Sequence, residues 1–179
     1  MRYNIINEEK RGMRMPEYID PKVLADGKML LCLKADFIAN QSYETLLPLL
    51  GCLRDSEIYL PAEAVMSAAD EARLAAAKGK TSFVNEDDIC LSVDLLVAPD
   101  KTSWVPIFSQ KEQIPKDYAE KHTVIKTDAL HALELAHRAG TAEGLMLDAF
   151  TESVMLTFKV ADVLRELPSH LPPRETENK

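Results

Sequence analysis

Apolar positions recur along this chain in two periods, which predict both helices and strands. Leucines three and four residues apart predict a helix over residues 42–53: Leu46, Leu49, Leu50 and Leu53 share one face. Apolar residues at every second position from Leu91 to Val97 predict a strand, and residues 104–108 form the return strand of a hairpin. Further strands are expected at residues 56–61, 122–127, 143–150 and 153–158, and further helices at residues 62–79, 128–140 and 159–167.

These elements predict an α+β fold, because strands and helices neither alternate strictly nor separate fully. We expect a mixed, largely antiparallel β-sheet flanked by helices in a single domain, which the length of 179 residues fits. The predicted organisation is a partly irregular N-terminal arm (residues 1–40), an α+β domain (residues 41–167) and a disordered, Pro-rich tail (residues 168–179). Within the arm, the short apolar run of residues 28–37 fits a strand or a helix equally well.

Composition narrows the class of protein. The net charge is −8, and Lys and Arg are scattered without a basic cluster, so we expect no nucleic-acid partner and no attraction to anionic membranes. No apolar segment approaches the length of a membrane span, and residues 1–14 contain no signal-like stretch. Together with the scattered cysteines Cys32, Cys52 and Cys90, expected as buried, reduced thiols, this predicts a cytoplasmic protein.

The segment from Trp104 to Ile114 changes from apolar to polar after Phe108. Trp104 and Phe108 are expected in the core, and Pro106 indicates an edge strand or a bulge. Ser109 and Glu112 have the S-x-x-E spacing of a capping box, in which the serine accepts from first-turn amides and the glutamate reaches back. The segment is therefore predicted as strand, cap and helix.

Candidate catalytic and metal-binding groups are few. His131, Glu134 and His137 share one predicted helix, but the two histidines lie about 240° apart around it and do not converge on one ion. A surface pair of His131 and Glu134 is the favoured interpretation. Asp94 fits the polar face of a half-exposed strand, as the alternation of apolar and polar residues predicts. A catalytic carboxylate would instead need a partner acid, base or metal. We expect no catalytic residue, no cofactor and no metal.

Three short motifs follow one another along the chain: a leucine helix with the strand after it (residues 49–62), a strand end with a following acidic residue, and a glycine before an apolar strand. The last two are Val105, Pro106, Ile107, Phe108, Ser109 and Glu112, then Gly144 to Leu147. In their order and spacing these motifs resemble the N-terminal domain of the SseB (enhanced serine sensitivity) family over residues 46–167. The chain departs from the family at Asp148 and Ala149, where members tend to have Asn-Pro. The resemblance implies a soluble bacterial α+β domain with no agreed catalytic residues.

Two functions remain open on this basis. The first is a non-enzymatic protein-interaction module with an unidentified protein partner, because a Pro-bearing edge strand can recruit another chain. The alternative is a metabolite-binding or sensing domain, or a weak hydrolase, with a site near Asp94 and Asp148. Convergence of these carboxylates with a histidine in a concave pocket would favour the alternative. The candidate interaction or ligand surface comprises Asp94, Ser109, Asp148 and Glu152.

Overall fold

A computed structural model of the chain describes residues 19–65 and 90–172. The helices in this part are α1 (Pro21–Leu24), α2 (Lys28–Ala39), α3 (Tyr43–Asp55), α4 (Lys116–Ala119), α5 (Ala129–Ala139) and α6 (Phe158–Ala161), with 3-10 helices at Lys111–Gln113 and Asp162–Arg165. The strands are β1 (Glu57–Val65), β2 (Cys90–Val93), β3 (Leu96–Val97), β4 (Ser103–Ile107), β5 (Thr123–Asp128), β6 (Gly144–Leu147) and β7 (Val154–Thr157).

The strands form two sheets, and their order confirms the predicted α+β fold. The first sheet has the order β2-β1-β5 and is antiparallel. The second has the order β3-β4-β6-β7, with β4 and β6 parallel and the other pairs antiparallel. Tyr59 and Phe108 join the two sheets, since the N–H of each donates to the carbonyl of the other at 2.8 Å.

One hydrophobic core lies between the two sheets and helices α2, α3 and α5. The leucine face predicted for α3 is confirmed: Leu49, Leu50 and Leu53 are fully buried and Leu46 packs at the core's margin. Full burial of one such side chain contributes about 1.5–3 kcal/mol. Trp104 and Phe108 are 5% and 0% exposed, as predicted.

The N-terminal boundary predicted at residue 40 does not follow the packing. Residues 28–39 form a helix, and α2 buries Leu30 and Leu33 in the core. The α1–α2 turn also lies against the loop after β4, because a Cβ added to Gly27, whose φ is 69°, would lie 2.2 Å from the Ser109 carbonyl oxygen. The described part of the predicted arm, residues 19–40, therefore belongs to the domain.

The chain is also held in place at residues 169–170, where disorder was predicted. The Ser169 hydroxyl and the His170 N–H donate to the buried Asp55 carboxylate at 2.9 and 2.7 Å. The His170 carbonyl accepts from the N–H of Ile19 at 2.7 Å. Charge-assisted hydrogen bonds of this kind are stronger than neutral ones and fix the segment on α3. Residues 173–179 of the predicted tail lie outside the described residues.

One predicted strand and the start of one predicted helix differ from the structure in this region. The strand predicted over residues 91–97 breaks at Asp94 and Leu95, so that β2 pairs with β1 while β3 pairs with β4. The predicted hairpin is thus confined to β3 and β4. Residues 62–65, predicted as the start of a helix, belong to β1 instead. The rest of that predicted helix lies outside the described residues.

Pro106 was predicted to mark an edge strand or a bulge, and the edge strand is wrong, because β4 lies between β3 and β6. The Ile107 carbonyl accepts from the backbone N–H of Asp148 at 2.8 Å, so the backbone N–H and C=O of Ile107 point toward β6. The backbone groups of the preceding residue, Pro106, point to the opposite side of β4. On that side β3 pairs only with Ser103 and Trp104. Pro106 therefore lies beyond the end of β3, where its missing N–H interrupts no hydrogen bond.

Helix α5 follows the prediction closely. Asp128 caps α5 by accepting from the N–H of His131 at 2.8 Å, and Gly140 ends the helix with a φ of 71°. The closing helix predicted at residues 159–167 is instead the short α6 followed by a 3-10 helix.

No helix within residues 19–65 and 90–172 combines the length and the apolar character needed to cross a bilayer.

Candidate functional site

Asp148 lies at the centre of a buried polar cluster that joins three elements. Its carboxylate Oδ2 lies 2.6 Å from the Lys34 ammonium of α2. Oδ1 accepts from the Ser109 backbone N–H at 2.8 Å and from the Ser109 hydroxyl at 2.9 Å. The side chains of Lys34 and Asp148 are only 6% and 0% exposed. The charges are paired and hydrogen-bonded, as buried charges must be, and they are closed to solvent.

This cluster replaces the predicted capping box. Ser109 is 2% exposed, and its hydroxyl donates to Asp148 instead of accepting from helix amides. The following 3-10 helix begins after Gln110 without a side-chain cap. The prediction fails because Ser109 bonds to a charged carboxylate 39 residues further along the chain. A hydrogen bond to a charged group is stronger than the neutral bond that the local amides would form with the serine.

Asp148 also has an unusual backbone conformation, with a φ of 51°. Among residues with side chains, Asp and Asn adopt this left-handed region most readily. Asn would therefore suit this backbone as well as Asp does. Only Asp, however, supplies the negative charge that the Lys34 ammonium faces.

Asp94 forms a second polar cluster with two residues that sequence reasoning missed. The Tyr118 hydroxyl donates to Asp94 Oδ2, and His122 Nε2 lies 3.4 Å from the same oxygen. His122 Nδ1 donates to the Tyr118 carbonyl at 3.0 Å, so Nδ1 carries a proton. Nε2 carries one only when the ring is charged, and only then is its contact with Asp94 an ion pair. A carboxylate, a phenol and an imidazole in contact can hold a polar ligand group.

Aromatic rings extend this cluster toward the β6–β7 turn. Phe150 stacks on Phe108 with ring centroids 5.9 Å apart, and it meets Tyr118 edge-on at 4.8 Å. Burial, and then the Asp94 carboxylate, raise the pKa of Tyr118 well above its ordinary value, which keeps the phenol protonated. Phe150 remains 43% exposed despite these contacts.

The four residues predicted as one surface occupy three different settings. Ser109 and Asp148 contact each other in the interior, where no partner reaches them without unfolding the turn. Asp94 is half-buried with Tyr118 and His122, and Glu152 is exposed. The convergence that would favour the ligand hypothesis is therefore only partial: Asp94 meets a histidine, but Asp148 is sealed in its own cluster.

The histidine motif on α5 is dispersed. His131 Nδ1 lies 3.1 Å from the Thr127 hydroxyl, and no hydrogen bond or ion pair within the described residues joins His131 to Glu134, as the predicted pair would require. His137 stacks on Phe158 at 4.0 Å and lies 2.8 Å from Asp162. In the described ranges no three His, Cys, Asp or Glu side chains are grouped as a metal site would need.

The cysteines divide by exposure. Cys52 is buried in the core as predicted, and burial raises the pKa of its thiol. Cys32 is exposed on α2, so the prediction of burial is wrong for this residue. Its apolar neighbours in sequence occupy other faces of the helix. The side chain of Cys90 lies outside the description.

The outer side of β7 offers backbone groups for hydrogen bonding. The Phe158 N–H donates to the Glu143 carbonyl at 2.9 Å, and hydrogen-bonded pairs recur at every second residue of an antiparallel ladder. Leu156 therefore turns its N–H and C=O toward β6, whereas Met155 and Thr157 turn theirs outward. Within the described residues no strand pairs with this outer side.

The side chain of Met155 completes an apolar row across the sheet. The register places Pro106 beside Met146, and Met146 beside Met155. Pro106 is buried and Met146 is 6% exposed, but Met155 is 50% exposed. The row thus ends in an apolar side chain that the described residues leave half uncovered, next to outward-facing backbone groups.

Comparisons with known proteins add no relative: no family model, no curated protein and no solved structure matches the chain.

Proposed function

We propose that the chain is a non-enzymatic, cytoplasmic protein-interaction module of the SseB family that binds an extended segment of a partner protein along the outer edge of β7. The observation that carries this proposal is the pair of outward-facing residues Met155 and Thr157, whose backbone groups meet no strand among the described residues. A peptide that adds a strand to a sheet edge gains main-chain hydrogen bonds from such groups.

Met155 supports the same proposal through its side chain. A partner strand paired with β7 would place one of its own side chains beside Met155, as Met155 stands beside Met146. Covering the exposed half of Met155 contributes about 25 cal/mol per Å² of apolar surface removed from water. The partner segment is therefore expected to carry an apolar residue at the position opposite Met155.

The polar clusters favour binding over catalysis. Lys34 and Ser109 both bond to Asp148 in the interior, where a substrate has no access. Tyr118 donates its hydroxyl to Asp94 and is held protonated. A general base must be within reach of a substrate proton, and the buried cluster does not meet this condition.

A photocrosslinking amino acid at position 155 in living cells tests the proposal and identifies the partner. The affinity of the purified partner for the chain is then measured by calorimetry. Met155→Pro removes the outward N–H and replaces the long methionine side chain by a small ring, and an edge strand tolerates proline whose nitrogen faces outward. Met155→Lys keeps the backbone groups. We expect both variants to lose affinity by about tenfold or more, equivalent to at least about 1.4 kcal/mol.

Val97→Lys provides the matched control, because Val97 is also exposed but lies on β3 at the opposite edge of the same sheet. This variant should bind the partner as the unmodified chain does, and all variants should melt cooperatively. Equal affinity for the chain and for Met155→Pro would contradict the proposal. If position 155 crosslinks only to a second copy of this chain, the edge of β7 serves self-association, and the proposal of a separate partner protein is wrong.

Ligand binding near Asp94 is the second candidate function, and the contact of Asp94 with Tyr118 and His122 favours it. A metabolite that binds there should raise the melting temperature, since a ligand that binds only the folded state stabilises it. Asp94→Asn should abolish that shift, and Glu152→Gln should leave it unchanged. Equal shifts in both variants would place the ligand elsewhere.

A further inference from the structure

An open groove of about 450 Å³ lies where α5 faces the 3-10 helix of residues 162–165. It is lined by Asp128, Leu130, His131, Glu134 and Arg165. Asp128 is the N-cap of α5, and His131 and Glu134, three residues apart, are neighbours on the surface of this helix.

Several polar atoms in this groove are available to a ligand. Asp128 uses one carboxylate oxygen to cap the helix, and His131 uses Nδ1 on Thr127, which leaves its Nε2. Arg165 has a contact of 3.6 Å from its Nε to Asp162, which leaves its terminal nitrogens. Among the described residues, none forms a hydrogen bond or an ion pair with the Glu134 carboxylate.

The charges of the groove select the class of ligand. A simple anion would pair with Arg165 but would face the carboxylates of Asp128 and Glu134. A simple cation would pair with these carboxylates but would face the guanidinium. A molecule that carries both charges pairs with both, and an Arg fork is well suited to a carboxylate. Leu130 adds an apolar contact for the rest of the ligand.

We infer that this groove binds a small zwitterion of the amino-acid or dipeptide class. The ligand's carboxylate lies on Arg165, its ammonium on Glu134, and its apolar side chain on Leu130. This site is separate from the β7 edge and does not depend on the function proposed for that edge.

Chemical-shift mapping of the isotope-labelled full chain tests this inference with defined probes. L-leucine carries both charges, L-leucinamide only the positive one and N-acetyl-L-leucine only the negative one. L-leucine or L-leucyl-L-leucine should shift the resonances of residues 128–134 and of Arg165, and the tighter of the two distinguishes the amino-acid from the dipeptide class. Each single-charge analogue should bind about tenfold more weakly, a difference of about 1.4 kcal/mol.

Glu134→Gln and Arg165→Gln should each weaken binding of the zwitterion by a similar factor. Glu166→Gln is the matched control, because Glu166 is an exposed carboxylate next to Arg165 in sequence but does not line the groove. All three positions are exposed, so the variants should fold. No shift with either zwitterion, equal binding of the single-charge analogues, or equal effects of Glu134→Gln and Glu166→Gln would overturn the inference.

Discussion

Replacing Lys34 by Met should be among the most destabilising single substitutions in α2. The Lys34 ammonium lies 2.6 Å from Asp148, and the two side chains are 6% and 0% exposed. Met fills a similar volume but leaves the Asp148 carboxylate in the interior without a counter-charge. Removing one partner of a buried ion pair typically costs about 3–5 kcal/mol.

The remaining contacts of Asp148 set the expected loss near the lower end of this range. Its carboxylate would keep the Ser109 N–H and hydroxyl, at 2.8 and 2.9 Å, and hydrogen bonds to a charged group contribute about 1.5–3 kcal/mol each. We therefore expect Lys34→Met to cost about 3 kcal/mol. For a chain of this length that loss lowers the melting temperature by roughly 6–12 °C.

A double-mutant cycle separates the ion pair from general damage to the core. Asp148→Asn keeps a residue that accepts the φ of 51° but removes the charge. The double variant has no unpaired buried charge, so it should be more stable than the sum of the single losses predicts. An interaction energy of about 2–3 kcal/mol is expected, because the two groups are in direct contact.

Urea unfolding followed by circular dichroism measures these differences, and Lys28→Met is the control. Lys28 lies on the same helix and pairs with Asp26 at 2.8 Å, but its side chain is 80% exposed. Exposed pairs contribute little, so this variant should unfold as the unmodified chain does. Equal losses for Lys34→Met and Lys28→Met, or strictly additive losses in the cycle, would refute the reasoning.

Three further predictions follow from single contacts. Gly144→Ala should destabilise the fold by more than about 1 kcal/mol in urea unfolding, because its φ is 159° and the new Cβ would lie 2.0 Å from a β7 carbonyl oxygen. Iodoacetamide should label the exposed Cys32 in the native chain but reach Cys52 only after unfolding, as peptide mass analysis would show, because burial raises the pKa of the Cys52 thiol. Burial raises the pKa of Tyr118 in the folded state. The stability that the protonated phenol contributes is therefore complete below the ordinary tyrosine pKa of about 10, and it falls as the pH rises above that value. Tyr118→Phe should flatten this fall in unfolding curves measured at alkaline pH.

The sequence pattern was sufficient to predict features that depend only on residues near one another in the chain. The leucine spacing of α3 fixes its buried face, and Asp128 and Gly140 mark the two ends of α5, because amphipathicity and capping depend only on near neighbours. The break at Asp94 could not be found in the same way. Alternation continues through it, while the pairing changes from β1 to β4.

The candidate site depended on long-range contacts and was predicted only in part. Ser109 and Asp148 were both selected, but the sequence pattern joined Ser109 to Glu112 and not to a carboxylate in another loop. The sequence offered one indication that Lys34 is buried, namely its position at the end of an apolar run. A lysine in such a setting requires a buried partner of opposite charge. Tyr118 and His122 had none beyond their spacing of four, since their meeting with Asp94 is set by tertiary structure.

Amide hydrogen exchange in the intact chain tests the interaction surface most directly. Residue-resolved NMR of the unbound protein should show slow exchange at Val154 and Leu156, whose N–H groups are bonded to β6, and fast exchange at Met155 and Thr157, which face the outer edge. Addition of the partner segment should then slow exchange at Met155 and Thr157. Equal protection of all four amides in the unbound chain would show that the edge of β7 is already paired, and the proposed interaction surface would be contradicted.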